Sequence, residues 1–251
     1  MADEEAFFRL FEGLPRQGPG SDACTREALG RLPPLPPAPR VLDLGCGAGR
    51  QTLVLAEALQ TRVLAVDLHQ PFLDQLHASA QARGLSHLIE TRGADFGALG
   101  DAPDLAPGSV DLLWSEGAIY LLGFEAGLRL WRPLLAPGGL AAITECSWLG
   151  EARSEEITAF WREAYPAIAS VADNRARAER AGFEVCDWFA LPPSAWWDDY
   201  YTPLMQRIQE LAPKADSTLA AIIAETEREI DLYRRYHEAY GYVFYLMRAR
   251  A

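Results

Sequence analysis

Residues 40–50 of the sequence are Arg-Val-Leu-Asp-Leu-Gly-Cys-Gly-Ala-Gly-Arg, and their pattern predicts the core of the fold. This stretch opens as a short apolar run of the kind that forms a buried strand. Three glycines then stand at alternate positions, Gly45, Gly47 and Gly49, where they let the backbone turn sharply and approach a ligand closely. Apolar residues at helical spacing follow over residues 48–59. The pattern predicts a strand, a glycine turn, and a helix whose first N–H groups face a ligand.

The spacing of the glycines separates this turn from a dinucleotide-binding turn. The dinucleotide site needs G-x-G-x-x-G, whose last glycine lets helix and strand pack closely, but position 50 is Arg50. A dehydrogenase is therefore disfavoured. Two carboxylates strengthen the case for a ligand site, because Asp43 precedes the glycines and Asp67 ends the next apolar run. A carboxylate at Asp67 can accept two hydrogen bonds from ribose hydroxyls.

Strands and helices alternate on both sides of the turn. Apolar strands are predicted at about 40–45, 61–67, 87–94, 109–116 and 140–148, with helices over 48–59, 71–83 and 124–135 between them. Helical segments follow over 154–181, and two further strands are predicted over 182–192 and 242–249. This alternation predicts an α/β fold with a doubly wound parallel sheet, covered by helices on both faces.

Taken together, these motifs resemble those of the class I S-adenosylmethionine-dependent methyltransferases. Residues 43–49 match the family motif D-x-G-x-G-x-G, Asp67 matches the acidic residue that binds ribose, and residues 134–140 match the L-x-P-G-G segment. The resemblance covers about residues 41–148. It implies a seven-stranded, mostly parallel sheet with an antiparallel last strand. It also implies S-adenosyl-L-methionine as cofactor and direct in-line transfer of its methyl group.

The resemblance also implies which residues hold the cofactor. Asp43 would hold the methionine amino group and the tight loop, or only the loop, while Asp95 would accept a hydrogen bond from the adenine amine. Leu68 and Phe72 would pack on the adenine or belong to the core. A loop over the cofactor would add residues from the N-terminal region. The predicted cofactor-binding residues are Arg16, Gly18, Ser21, Asp43, Gly45, Cys46, Gly47, Gln51, Asp67, Leu68, Phe72, Ala94, Asp95, Phe96 and Ser115.

Glu116 and Tyr120 are the predicted catalytic residues. They follow the fourth strand, where the methyl donor meets its acceptor in this family. Glu116 would orient a cationic acceptor or remove its proton, and the alternative is an ordinary loop carboxylate. Tyr120 would line the pocket or simply pack. The D-P-P-Y type motif of nucleobase amino-methylases is missing after this strand, no Pro-Cys pair is present, and no metal site is predicted.

Two flanking regions complete the predicted organisation. Residues 1–39 are predicted to form an N-terminal helical arm that ends in a proline-rich connector, and residues 40–251 the methyltransferase domain. The arm contains Gly-Pro-Gly at residues 18–20, which cannot sit inside a regular helix or strand. This loop would close over the cofactor as a lid, or it is a plain turn between helices.

A helical cap is predicted over about 151–181 and 193–240. Aromatic rings beside Asp198 and Asp199 suit a cationic or aromatic acceptor, with packing on the core as the alternative. The mixed-charge run 225–235 predicts a solvated helix face. The predicted substrate-binding residues are Trp148, Trp196, Trp197, Tyr200 and Tyr201.

Composition narrows the class of partner. The 251 residues include 35 acidic residues against 23 Lys and Arg, for a net charge of −12. A field of that sign opposes docking on phosphate polymers or anionic lipid, and neither a signal peptide nor a long apolar run is present. We therefore expect a cytoplasmic monomer or homodimer that acts on a small-molecule acceptor, with no nucleic-acid or membrane partner. A non-catalytic S-adenosylmethionine-binding or regulatory protein of the same fold remains an alternative. So does a macromolecular methylase, which would show a basic groove near Glu116.

Overall fold

A computed structural model describes residues 2–99 and 105–250. The strands within these ranges are β1 (Val41–Leu44), β2 (Val63–Asp67), β3 (Ile89–Gly93), β4 (Val110–Ser115), β5 (Leu135–Trp148), β6 (Ala169–Ser170), β7 (Phe183–Ala190) and β8 (Tyr240–Ala249). The α-helices are α1 (Ala2–Phe11), α2 (Asp22–Arg31), α3 (Arg50–Leu59), α4 (Gln70–Ala82), α5 (Phe124–Trp131), α6 (Glu155–Ala164), α7 (Val171–Arg180), α8 (Ser194–Trp196), α9 (Thr202–Leu211) and α10 (Ser217–Tyr236). A π-helical turn, Trp197–Tyr201, joins α8 to α9.

All the described strands belong to one mixed sheet. Its order is β3-β2-β1-β4-β5-β8-β7, and β6 pairs with the end of β5. Strands β1 to β5 run parallel to one another, whereas β8 runs antiparallel to both of its neighbours, β5 and β7. The predicted doubly wound sheet with an antiparallel last strand is confirmed. The two-residue strand β6 is an addition that the sequence pattern did not predict.

Successive side chains of a strand point to opposite faces of the sheet. Helices pack on both faces, so both sets of side chains are buried. On one face, Leu112, Trp114 and Phe244 pack in a cluster with apolar residues of α2, α3 and α4. On the other face, Leu113 and Tyr245 pack with residues of α5 and α7. A third apolar cluster joins α1, α6, α9 and α10 to the end of β5.

The predicted helix over 124–135 is too long. The α-helix ends at Trp131 and tightens into a 3₁₀ turn at residues 132–134, where Pro133 has no N–H to continue the helical hydrogen bonds. Leu135, only 2% exposed, already pairs with Val110 as the first residue of β5. The pairing of Leu135 with Val110 lies ahead of the Pro-Gly-Gly segment of β5. Beyond that segment, the register between β4 and β5 is shifted.

The arm residues are packed against the rest of the chain. The backbone N–H of Gly20 donates to the Ala195 carbonyl oxygen, 2.9 Å away. Ser21 caps α2 by accepting a hydrogen bond from the Cys24 N–H. The predicted boundary at residues 39 and 40 stays a prediction. No helix within the described ranges is long and apolar enough to cross a membrane.

Candidate active site

A cavity of about 670 Å³ opens at the carboxyl ends of β1, β2 and β4. We call it the glycine-turn cavity. Predicted cofactor residues line it, and these are Arg16, Gly18, Gly45, Cys46, Gly47, Gln51, Asp67, Leu68, Phe72, Asp95 and Phe96. Residues from the turn after each strand thus meet at one edge of the sheet, as expected for a doubly wound fold.

The glycine turn needs its glycines for two separate reasons. Gly45 and Gly47 have φ angles of +69° and +54°, a region that side chains rarely adopt. A Cβ atom on Gly45 would also overlap the Cβ atom of Ala118, and one on Gly47 would meet the Oε1 atom of Gln17. The N–H groups of Gly45 and Cys46 both donate to the Val66 carbonyl oxygen. The turn is therefore fixed onto β2 with its backbone against the cavity.

Asp67 lies at the end of β2 beside this turn. Its Oδ2 atom accepts a hydrogen bond from the Gly47 N–H at 2.8 Å, and its Oδ1 atom accepts one from the His69 N–H at 2.9 Å. A carboxylate has about four lone-pair sites. The two backbone bonds orient the carboxylate and leave lone pairs for a ligand in the cavity.

Asp43 is fully buried and does not line the cavity. Its Oδ2 atom accepts a hydrogen bond from the Thr52 hydroxyl at 2.6 Å, and the Gln51 amide nitrogen lies 3.5 Å from Oδ1. Burial raises the pKa of Asp43 to about 7, while the bond from Thr52 opposes that rise. These contacts hold the first turn of α3 to β1. They favour the loop-holding role over contact with a ligand.

Glu116 is enclosed by donors from the chain itself. Its Oε2 atom lies 2.9 Å from the Arg16 Nη1 atom, and the two side chains are only 3% and 4% exposed. Its Oε1 atom accepts hydrogen bonds from the Thr25 hydroxyl at 2.7 Å and the Trp114 indole N–H at 2.9 Å. Both carboxylate oxygens thus already accept hydrogen bonds from the chain, three in all, although Glu116 also lines the glycine-turn cavity. The geometry favours holding the arm against β4 over proton transfer, and the predicted catalytic role of Glu116 stays a prediction.

The arm loop forms part of the cavity wall. Gln17 accepts a hydrogen bond from the Ala48 N–H at 2.7 Å through its Oε1 atom, which ties the arm to the glycine turn. A Cβ atom on Gly20 would lie 2.8 Å from the Arg16 Nη1 atom and 3.0 Å from the Glu116 Oε2 atom, so the Arg16–Glu116 pair needs glycine there. Gln17 was not among the predicted residues. Its position beside the Gly-Pro-Gly loop was the available signal.

A second cavity of about 540 Å³ adjoins the first, and we call it the aromatic cavity. Phe7, Gln17, Gly18, Pro19, Gly117 and Tyr120 line both cavities. Tyr120 is 39% exposed, and desolvation, with a smaller effect of Glu229 and Glu145, raises its pKa. The arm loop and the segment after β4 therefore separate two adjoining spaces.

The predicted substrate-binding residues divide between cavity and core. Trp196 and Tyr200 line the aromatic cavity. Trp148, Trp197 and Tyr201 do not line it. Tyr201 is fully buried beneath the wall, and Trp148 packs in the apolar cluster under the guanidinium of Arg153. Asp198 and Asp199 also lie outside the cavity wall.

Some predicted cofactor residues support the glycine-turn cavity without lining it. Ser21 caps α2, and the Ser115 hydroxyl donates to the Leu44 carbonyl oxygen at 2.8 Å, which joins β4 to β1. Ala94 is a neighbour of the lining residues Asp95 and Phe96. These three positions shape the wall from behind, as Asp43 does.

The residues that line the glycine-turn cavity suit the chemical groups of S-adenosylmethionine. Phe72 and Phe96 offer apolar faces, and Asp67 and Asp95 offer carboxylates that accept hydrogen bonds from hydroxyl and amino groups. Within the described ranges, the buried Nε atom of Arg16 has no hydrogen-bond partner. A buried donor of this kind suits an anionic group of the ligand, such as a carboxylate.

Comparison with known proteins agrees with this assignment. Residues 41–139 match the methyltransferase domain family. The chain is 38% identical over 118 residues to a trans-aconitate 2-methyltransferase of Deinococcus radiodurans, covering 46% of this chain and 41% of the relative. It is 30% identical over 199 residues to an enzyme of the same name from an Acidovorax strain (JS42), covering 72% of this chain and 69% of the relative. The matched region is thus less than half the length of the first of these relatives.

A solved structure shares the fold over nearly the whole chain. It is that of a S-adenosylmethionine-dependent methyltransferase from Thiobacillus denitrificans in complex with S-adenosylhomocysteine. The TM-score is 0.78 at 22% identity, with 94% of each chain covered. The glycine turn, the sheet order and the relatives lead to the same conclusion, which is that this chain belongs to the class I S-adenosylmethionine-dependent methyltransferases.

Proposed function

We propose that this chain transfers a methyl group from S-adenosylmethionine to a small molecule bound in the aromatic cavity. The observation that carries the proposal is the pair of adjoining cavities, which share the wall formed by the arm loop, Gly117 and Tyr120. A volume of 540 Å³ falls in the range of about 300–1,000 Å³ that is usual for small-molecule pockets. The names of the relatives, trans-aconitate 2-methyltransferases, support a small-molecule acceptor.

When bound, S-adenosylmethionine supplies an electrophilic methyl group on a sulfonium centre. The work left to the chain is to bind, to orient and to exclude water. Asp67 would hold the ribose hydroxyls, and Arg16 an anionic group through its unpartnered Nε atom. Tyr120 and Gly117 stand on the border between the cavities and would position the acceptor.

We propose that arm residues 7–19, several of which line the two cavities, act as a cover over both. Gln17 and Arg16 tie the arm loop to the glycine turn and to Glu116. Since Glu116 lies buried beneath Arg16 and Thr25, a groove for a polymer does not open there. This burial and the net charge of −12 favour a small acceptor over a macromolecule.

Transfer of a radioactive methyl group tests this proposal. The protein would be incubated with S-adenosyl-[methyl-¹⁴C]methionine and either a low-molecular-weight metabolite extract or desalted protein and RNA. We expect label in the small-molecule fraction only. Label in the macromolecules alone would contradict the proposed acceptor class. Binding of S-adenosylhomocysteine without label in either fraction would instead support a non-catalytic binding protein.

A further inference from the structure

The interior of the aromatic cavity is lined by aromatic rings, whereas its mouth carries exposed charged side chains. Its lining includes the aromatic rings of Phe11, Trp196, Tyr200 and Tyr242 together with the buried side chain of Cys146. Trp196 stacks on Tyr242 with ring centroids 5.3 Å apart, and Phe11 lies parallel to Tyr200 at 6.5 Å. These stacked rings form a rigid apolar lining that suits a flat or hydrocarbon body.

The charged side chains that line the cavity are mostly acidic. They are the carboxylates of Glu163, Glu225 and Glu229 and the guanidinium of Arg228. Glu163, Glu225 and Arg228 are exposed residues at the mouth. The Arg228 guanidinium is placed over the Phe160 ring, 5.4 Å from its centroid. The local field is therefore negative even though one cation stands at the rim.

Glu229 is the partly buried carboxylate of this cavity. It lies on α10 at helical spacing from Ile222 and Thr226, and all three line the wall. Its Oε1 atom accepts a hydrogen bond from the Tyr201 hydroxyl at 2.7 Å. Among the residues that the structure describes, no Lys, Arg or His forms an ion pair with it. Burial raises the pKa of Glu229, which a cation beside it would lower again.

We infer that the acceptor molecule carries an ammonium group on an aromatic or other apolar body, with Glu229 as the partner of its positive charge. The ammonium is the group that is recognised, and a different, unprotonated atom of the molecule uses its lone pair to take the methyl group, while the electron pair of the broken C–S bond stays on the sulfur of S-adenosylhomocysteine. A carboxylate without a counter-ion in a cavity of aromatic rings attracts an ammonium group through both charge pairing and cation–π contact. The inference rests on the proposed function, because it concerns the acceptor of that same reaction. It distinguishes this chain from a trans-aconitate enzyme, whose tricarboxylate substrate would meet the carboxylates of this wall.

Matched probes test the inference by charge alone. Calorimetry at pH 7.5, with S-adenosylhomocysteine saturating, would compare 3-phenylpropylamine, 3-phenyl-1-propanol, 3-phenylpropanoate and trans-aconitate. We expect the amine to bind at least about tenfold more tightly than the alcohol, as a charged hydrogen bond provides. Both carboxylates should bind more weakly still. Equal binding of amine and alcohol, tighter binding of either carboxylate, or no binding of any probe would overturn the inference.

A pair of variants assigns the preference to one residue. E229Q should bring the amine to within about threefold of the alcohol, since the hydrogen-bonding shape stays and the charge is gone. E227Q, on the same helix but outside the cavity wall, should keep the wild-type preference. If E229Q does not fold, the comparison of probes on the wild-type protein decides. Failure to bind S-adenosylhomocysteine would instead count against the proposed function, so the two failures are distinguishable.

Discussion

At the scale of single residues, the Arg16–Glu116 pair shows how the arm is held. The two residues are 100 positions apart in the chain, yet their side chains meet at 2.9 Å and are almost fully buried. Removing one partner of a buried ion pair leaves the other charge without compensation, whereas an exposed pair contributes little. The sequence predicted a catalytic role for Glu116 because this residue follows the fourth strand, whereas the structure shows it paired with Arg16. Nothing local to residues 115–117 indicates that an arginine from the arm covers it.

A double-mutant cycle tests whether Arg16 and Glu116 stabilise the fold as a coupled pair. R16M should lower the free energy of unfolding by about 3–5 kcal/mol, because it leaves the buried Glu116 carboxylate without a counter-ion. E116Q should cost less, because the Arg16 guanidinium keeps Asp22 as a partner, with Nη2 3.4 Å from Oδ1. The double variant should lose less than the sum of the two single losses. Urea denaturation measures all three. As a control, R26M removes the exposed Arg26–Glu57 pair and a long, exposed hydrogen bond to the Asp22 carbonyl oxygen, and it should cost under about 1 kcal/mol. Additive losses for R16M and E116Q would contradict a coupled pair.

At the scale of elements, β5 carries a buried titratable group in the middle of the sheet. Glu145 is 1% exposed, and its Oε1 atom accepts a hydrogen bond from the Tyr165 hydroxyl of the segment after α6 at 2.6 Å. Its Oε2 atom has no partner within the described ranges. Burial raises the pKa of Glu145 to about 8. The folded protein therefore keeps a proton on Glu145 that the unfolded chain releases above its ordinary pKa of 4.5.

This difference predicts a pH dependence of stability with a definite sign. The contribution of Glu145 is fully present below pH 4.5 and is lost as pH rises towards 8, by up to about 1.4 kcal/mol for each pH unit. E145Q removes the titration, so its free energy of unfolding should fall less between pH 5 and 8 and should exceed that of the wild type at pH 8. Denaturation curves at pH 5, 6.5 and 8 measure this. E184Q, on the exposed edge of β7, should retain the wild-type slope. A wild-type slope in E145Q would contradict the buried, protonated Glu145.

Some helix and strand boundaries follow from the local sequence, whereas others depend on residues far away along the chain. The strand, turn and helix over residues 41–59 follow from local apolar spacing and glycine positions, and the sequence predicted them closely. The end of α5 at Trp131 and the start of β5 at Leu135 depend on pairing with Val110, which lies on another strand. The run 225–235 was predicted to be a solvated face. Only part of the run fits that prediction, because Ile230, Leu232 and Tyr233 are buried in an apolar cluster. The carboxylates of Glu225 and Glu229 line the aromatic cavity, and the Tyr201 hydroxyl donates to Glu229.

At the scale of the whole molecule, the two cavities differ in how far the sequence could predict them. The glycine-turn cavity is built mainly from residues that directly follow consecutive strands, so a motif of the local sequence reveals it. The aromatic cavity is assembled from α1, β5, α6, α10 and β8, which are brought together only by the fold. Phe11 and Tyr200, for example, meet across 189 positions of the chain. For this reason the sequence predicted Trp196 and Tyr200, which stand close together in a run of aromatic residues, but it did not predict that Glu229 and Cys146 line the same cavity.

We expect the glycine-turn cavity to bind the methyl donor through Asp67. Isothermal titration calorimetry with S-adenosylhomocysteine measures this binding in the wild type, in D67N, and in D74N as a control on the exposed side of α4. We predict that the wild type and D74N bind equally, and that D67N binds at least about tenfold more weakly because charged hydrogen bonds are lost. NAD should give no binding heat. Binding of NAD but not S-adenosylhomocysteine, or an unchanged affinity in D67N, would contradict the account.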